Sequence, residues 1–353
     1  MSDPSQTPTR KPSFSGRRRS VSVSQDSLVK SRPLFPDRRL PLLVEPAVEG
    51  MSLRGWAKEN QDWIRARVLE HGGVLFRGFT ERSVEEFQEF ISAVSGSPLE
   101  YKERSSPRHT VSGRIYTSTD YPPEHEIFLH NENSYQHTWP TKIFFFCTIP
   151  ADEGGETPIA DCRNIYERLD PEIKQRFEDR KWMAVRNFGD GFGLPWETVF
   201  QTDDREAVER HCAKHGVVTE WKDDDRLRTR AVRPAALEHP ETGERTWFNH
   251  ATFFHVTTLA PAVREMMLEE FDDPNDLPTH SFYGDGSPIE PEVLEHLRGL
   301  YREETVKFPW QKGDLLMLDN LLVAHGRGPF RGERQVVVGM AEPRSWDEIE
   351  GKA

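Results

Sequence analysis

The sequence predicts a mainly β chain with added helices (α+β), a β-sandwich or barrel decorated by helical and loop insertions. Three observations point there. Short apolar strands stand towards both ends of the chain, at Gly73–Phe79 early and at Asp314–Asp319 and Gln335–Met340 late. Helical segments and long loops lie between them, without the regular strand–helix–strand alternation of a parallel sheet. Neither a Gly-rich phosphate loop nor a Gly-x-Ser-x-Gly elbow occurs, which argues against nucleotide-dependent and serine-hydrolase chemistry.

Each element has a local reason. Gly73-Val-Leu-Phe-Arg-Gly-Phe79 is a short apolar run marked by glycines and reads as a buried strand. Ser83 is placed to cap a helix, Glu86 completes a capping box, and Gly96 stops it. Phe87, Phe90, Ile91 and Val94 then fall on one helical face. Lys142–Thr148 is a strand dense in Phe. Asp170-Pro171 opens another helix, with Pro at its first position. Residues 185–250 are rich in Gly, Trp, Phe and charge, and their periodicity is weak; Pro261–Phe271 reads as helix. The two late strands are separated by a turn region around Gly326, Gly328 and Pro329. No internal repeat is visible.

Composition sets the outer limits. The chain has 353 residues, 35% of them hydrophobic, enough for a sizeable core. No apolar run approaches the roughly 20 residues of a membrane helix. Three scattered cysteines (Cys147, Cys162, Cys212) cannot build a disulfide framework or a four-thiolate zinc site, so a reducing, cytoplasmic setting is expected. The net charge of −13 is uneven: residues 1–32 hold seven basic and two acidic residues, leaving 39 basic against 57 acidic in the remainder. An acidic body argues against wrapping duplex nucleic acid. The first 32 residues lack the apolar segment of a secretory signal and read as a disordered basic tail, with order starting near Leu34. Residues 346–353 read as a C-terminal tail.

The densest chemistry is Phe128-Leu-His-Asn-Glu-Asn-Ser-Tyr135. If this segment is a strand, His130 and Glu132 share one face. The apolar Leu316–His325 segment offers a third ligand at its end. Two His and one carboxylate make the facial triad of non-haem Fe(II) oxygenases. His109, His125, His137, His250 and His255 are rival ligands. Zinc also accepts such a set, but there is no His-Glu-x-x-His helix and no obvious general base for a hydrolase.

The order His130-x-Glu132, Gly154-Gly155-Glu156-Thr157-Pro158, His325-Gly-Arg-x-x-Phe330 and Arg334 resembles the taurine dioxygenase-type (clavaminate synthase-like) Fe(II)/2-oxoglutarate-dependent oxygenases. Three longer stretches, His130–Pro140, Asn187–Trp196 and Trp247–His255, resemble the branch containing the aspartate hydroxylase of syringomycin biosynthesis.

The resemblance implies a double-stranded β-helix (jelly-roll) core, with residues 33–345 forming one oxygenase domain. It makes His130, Glu132 and His325 the iron ligands, and Fe(II), 2-oxoglutarate and dioxygen the cofactor and co-substrates. Thr157 and Arg334 are implied to hold the distal carboxylate of 2-oxoglutarate. Arg334 follows His325 by only nine residues, closer than is usual in the family, which leaves Arg331 and Arg327 as alternatives. Glu132 replaces the more common Asp. Relatives that halogenate lack this carboxylate, so its presence implies hydroxylation or another oxidation without halide.

The implied substrate is an amino acid or derivative, free or bound to a carrier protein acting in trans, in nonribosomal peptide or antibiotic biosynthesis. The alternatives are a small sulfonate, betaine or other carboxylate, or a non-catalytic iron-binding protein. Phe144, Phe146 and Leu129 are candidates for a dry wall around the iron. The Glu103–Asp120 loop is a candidate lid, from which Arg104, Arg108 or Arg114 would bind a substrate carboxylate. Asn131, Ser134 and Asn249 are candidates for hydrogen bonds to substrate.

Overall fold

In the computed structural model, residues 28–100, 110–117, 121–189, 191–222, 225–349 and 351 are described. The main sheet has eight strands in the spatial order Val29–Phe35, Arg38–Pro46, Gly73–Phe76, Leu315–Asp319, Thr138–Ile149, Gln335–Ser345, Ile115–Thr117, Thr110–Ser112. All neighbours are antiparallel except Arg38–Pro46 against Gly73–Phe76. A second layer pairs Ile127–His130 and Ile159–Asp161 on either side of Val323–Arg327. A two-stranded ribbon, Phe330–Arg331 with Glu153–Gly154, extends from it. These layers are the jelly-roll core. A four-stranded sheet (Val217–Trp221, Leu227–Arg233, Trp182–Phe188, Thr279–Tyr283) and several helices are inserted between Asp161 and Val306.

The Phe-rich strand is apolar along most of its length because both of its faces are covered. Phe144 and Phe146 point to the outer face, where they pack with Phe87, Phe90 and Ile91 of the Val84–Ser95 helix. Ile143, Phe145 and Cys147 point inward, with Leu316, Leu318, Val336 and Val338. That helix has the expected start: Ser83 Oγ accepts from Glu86 N, and the Glu86 side chain accepts from Ser83 N.

Two tail boundaries need correction. The first strand begins at Val29, not after residue 32, because residues 29–33 pair in register with Leu42–Pro46. The segment from 346 is not a tail throughout. Trp346–Ile349 is helical, and Trp346 is buried against Trp139 at a ring separation of 4.6 Å. Among the described residues no helix is long and apolar enough to cross a membrane.

One buried ion pair fixes the turn that leads into the second layer. Lys142 Nζ donates to Asp319 Oδ2 at 2.9 Å, and His239 Nε2 lies 3.3 Å from the same oxygen. The other oxygen, Asp319 Oδ1, accepts from Leu321 N and Leu322 N. Lys142→Ala leaves that carboxylate buried without its ammonium and is expected to cost about 3–5 kcal/mol of stability, read by urea unfolding. An unchanged midpoint would show that the pair does not hold the turn.

Candidate active site

His130 ends its strand, and His325 lies directly opposite it on the neighbouring strand. Cross-strand partners project to the same face, and the two rings stand 4.6 Å apart. The ladder slips between His325 and Arg327. Gly326 sits at that slip, where a Cβ would lie 2.5 Å from Ile127 O. The glycine therefore lets the strands close up beside the histidine.

Glu132 reaches the same point by a different route from the one expected. The strand stops at His130, and residues 132–135 form a turn in which Asn133 takes φ 58°. Asn320 clamps that turn from across the layer. Its Oδ1 accepts from Glu132 N (2.8 Å), and its Nδ2 donates to Glu132 O (2.9 Å) and Pro140 O (2.8 Å). Asn131 Nδ2 in turn donates to Asn320 O (2.7 Å). The carboxylate is left 3.6 Å from His325 Nε2.

Ligand atoms of His130, Glu132 and His325 all lie within 4.8 Å of one another, the one such group of three among the described residues. His130 Nδ1 contacts Phe128 O at 2.9 Å, which leaves Nε2 for a ligand, and Phe253 stacks on the ring at 4.4 Å. The Phe145 edge sets the His325 ring at 5.1 Å. Glu132 is 3% exposed. So buried an anion facing imidazoles needs positive charge, and a divalent cation supplies it. Two imidazoles and one carboxylate are a donor set that fits Fe(II).

One cavity holds this trio together with Thr157 and Arg334. Thr157 Oγ1 accepts from Trp310 Nε1 at 3.2 Å, so its own proton is available to a second acceptor. Arg334 Nε donates to Gly155 O at 2.8 Å, which fixes the guanidinium plane. Burial, with the nearby Arg327 charge, pushes the Arg334 pKa down to about 10. It stays cationic at neutral pH while poorly solvated, which suits it to a carboxylate. Gly155, at φ +72°, makes the room: a Cβ there would meet Arg334 Cδ at 2.9 Å. The two alternative arginines are engaged otherwise, although Arg327 lines the same cavity. The Arg331 side chain is 83% exposed beside Glu153, and Arg327 donates to the carbonyls of Tyr121, Pro122 and His125.

Several expected neighbours fall elsewhere. Phe144 and Phe146 belong to the outer core; Phe145, one residue out of phase with them, lines the cavity. Leu129 faces the opposite side from His130, into the core under the inserted sheet. Asn249 is bound to Ala235 O and Ala251 N, and Asn131 to Asn320 O, so both brace backbone instead of facing the cavity. Ser134 Oγ contacts His250 Nδ1 at 2.5 Å. His250 lies beside His130, and burial together with the His130 charge depresses its pKa well below the usual range. Arg114 binds Pro98 O and Glu100 and lines a separate cleft. His255 pairs with His280 instead of the trio. Arg104, Arg108, His109 and most of the proposed lid lie outside the described residues. Phe145, Phe253, Trp310 and Asn320 are site residues that sequence reasoning missed.

A family described as taurine catabolism dioxygenase TauD, TfdA family, matches residues 31–341. The chain is 40% identical over 276 residues to the dapdiamide synthesis protein DdaC of Enterobacter agglomerans, covering 78% of this chain and 84% of that one. It is 31% identical over 333 residues to a clavaminate synthase-like protein of Arabidopsis thaliana, covering 91% and 97%. The solved structure of PvcB from Pseudomonas aeruginosa superposes with a TM-score of 0.55 at 17% identity, over 91% of this chain and 94% of that one.

Proposed function

Because the chain belongs to the TauD/TfdA dioxygenase family and is an Fe(II)/2-oxoglutarate-dependent oxygenase, we propose that it hydroxylates an unactivated C–H bond of an amino acid or amino-acid derivative. That substrate is free or bound to a carrier protein. The observation that supports an oxidation without halide, taken here as hydroxylation, is the buried Glu132 carboxylate beside His325, which completes a three-ligand set where a halogenating relative would lack a carboxylate. Support for the substrate class comes from the sequence resemblance and from the 40% identity to a protein of dapdiamide synthesis.

Fe(II) with 2-oxoglutarate and dioxygen supplies the oxidising chemistry, releasing succinate and CO2. The side chains of this protein bind, orient and exclude. His130, Glu132 and His325 would hold the metal on one side and leave the facing positions to co-substrates. The Arg334 guanidinium and the Thr157 hydroxyl would pair the distal carboxylate of 2-oxoglutarate. Phe145, Val336, Val338 and Ile127 wall the cavity and keep water from the reacting centre.

Asn320 acts on Glu132 only through backbone, so it is a positioning residue. Asn320→Ala is expected to weaken Fe(II) binding by about 10- to 100-fold, the usual effect of removing outer-shell support. Anaerobic iron titration beside a thermal melt measures this; unchanged iron affinity would show that the clamp does not orient Glu132.

The substrate reading is tested with a panel of free amino acids, their carrier-bound thioesters, taurine and betaines. The products are read for a mass gain of one oxygen with matching succinate. Oxygen gain confined to a sulfonate or betaine would replace the amino-acid reading with another substrate of the same family. No gain and no succinate with any substrate would favour a non-catalytic iron protein.

A further inference from the structure

The cleft that Arg114 lines adjoins the iron cavity along two walls. On one wall Glu132 lines the iron cavity, and the next residue, Asn133, lines the cleft. On the other, Val338 lines the iron cavity. Met340 stands two residues along the same strand, so on the same face, and lines the cleft. Leu99 packs against Met340 and adds to that apolar wall. At about 450 Å³ the cleft falls in the size range of small-molecule sites.

Asn133 is placed unlike the asparagines near it. Its backbone takes φ 58°, a conformation that Asn tolerates better than most residues. An asparagine in such a turn commonly spends its side chain on nearby backbone. Asn131 and Asn249 do bind backbone. Asn133 is only 7% exposed, yet among the described residues its buried Oδ1 has no hydrogen-bond partner. Turn geometry accounts for an Asn at this position. It does not account for a buried carbonyl oxygen without a donor. A ligand in the cleft accounts for both.

We propose that the substrate extends from the iron into this cleft and that Asn133 Oδ1 accepts an N–H from its amino or amide nitrogen. The oxygen sets the class of group. A carboxamide oxygen only accepts, so an ammonium, amine or amide N–H satisfies it and a carboxylate or sulfonate does not. Sequence sets the place: Asn133 directly follows Glu132, so the nitrogen it holds stands beside the reacting centre. Leu99 and Met340 would face the apolar part of the molecule. The inference rests on the amino-acid reading and deepens it by naming the group that selects the nitrogen.

The test is isothermal titration calorimetry on the full chain, loaded with Fe(II) and 2-oxoglutarate and kept anaerobic. The probes are L-amino acids and their N-acetylcysteamine thioesters, each beside the analogue lacking the α-amino group, with taurine and glycine betaine. The best amine probe should bind wild type ~10- to 100-fold more tightly than its deaminated analogue, the worth of a hydrogen bond to a charged donor. Asn133→Gly keeps the left-handed turn; it should erase that gap and leave 2-oxoglutarate affinity unchanged. Asn133→Asp retains an acceptor and should retain the gap. The proposal alone is overturned if the gap survives in Asn133→Gly, is lost in Asn133→Asp, or if Asn133→Gly weakens both analogues alike. Taurine bound above every amino acid, and weakened by Asn133→Gly, would end the amino-acid reading and keep the role of Asn133. Preference for betaine or for a deaminated acid overturns both, as does no binding by any probe.

Discussion

His325→Ala and His130→Ala are each expected to abolish 2-oxoglutarate turnover and to weaken Fe(II) binding by more than the ~100-fold that loss of outer-shell support alone can cause. Each removes one of three donors that converge within 4.8 Å, and among the described residues no fourth His, Cys, Asp or Glu joins that group to substitute. His250, the nearest rival, is turned to Ser134, so it does not replace either. His255→Ala is the control. That side chain pairs with His280 and Thr257 away from the cavity, and its loss should leave iron binding intact. Succinate formation and anaerobic iron titration read both effects. Full turnover in either ligand variant would overturn the assignment of the trio.

Arg334→Ala is expected to raise the KM for 2-oxoglutarate steeply while Arg331→Ala leaves it unchanged. Truncating one partner of a buried, hydrogen-bonded charge pair costs about 2–5 kcal/mol, or roughly 30- to 4,000-fold. The cost falls on binding because the distal carboxylate is remote from the bond being oxidised, so kcat at saturating co-substrate should fall less. Arg331 is exposed beside Glu153 and gives up nothing inside the cavity. A KM unmoved by Arg334→Ala, or moved equally by Arg331→Ala, would assign the carboxylate to another group.

Much of the site was legible because its chemistry is concentrated in short motifs. His130, Glu132, Thr157, His325 and Arg334 stand in one cavity, as the order of those motifs implied. The short spacing from His325 to Arg334 is explained by the tight ribbon Phe330–Arg331 and by Gly332 at φ +81°. Less legible was anything that depended on phase or on distant partners. Lys142–Thr148 reads as a strand, but which of Phe144, Phe145 and Phe146 faces the iron depends on register with Leu316 and Val338, which the run itself does not state. Asn320 carried an available signal: an Asp-Asn pair inside the apolar Leu316–Val323 stretch must find partners when buried. Trp310 carried none, since its role is one hydrogen bond to a residue 153 positions away. Glu132 reached its place through a turn instead of a strand, so the expected convergence held although the expected reason did not.

The most direct test of the account is an anaerobic titration of the Fe(II)-loaded protein with 2-oxoglutarate, followed by visible absorption. A weak charge-transfer band that saturates in wild type, shifts to much higher 2-oxoglutarate in Arg334→Ala and is absent in His325→Ala is the predicted result. No band in wild type, or an undiminished band in His325→Ala, would contradict it.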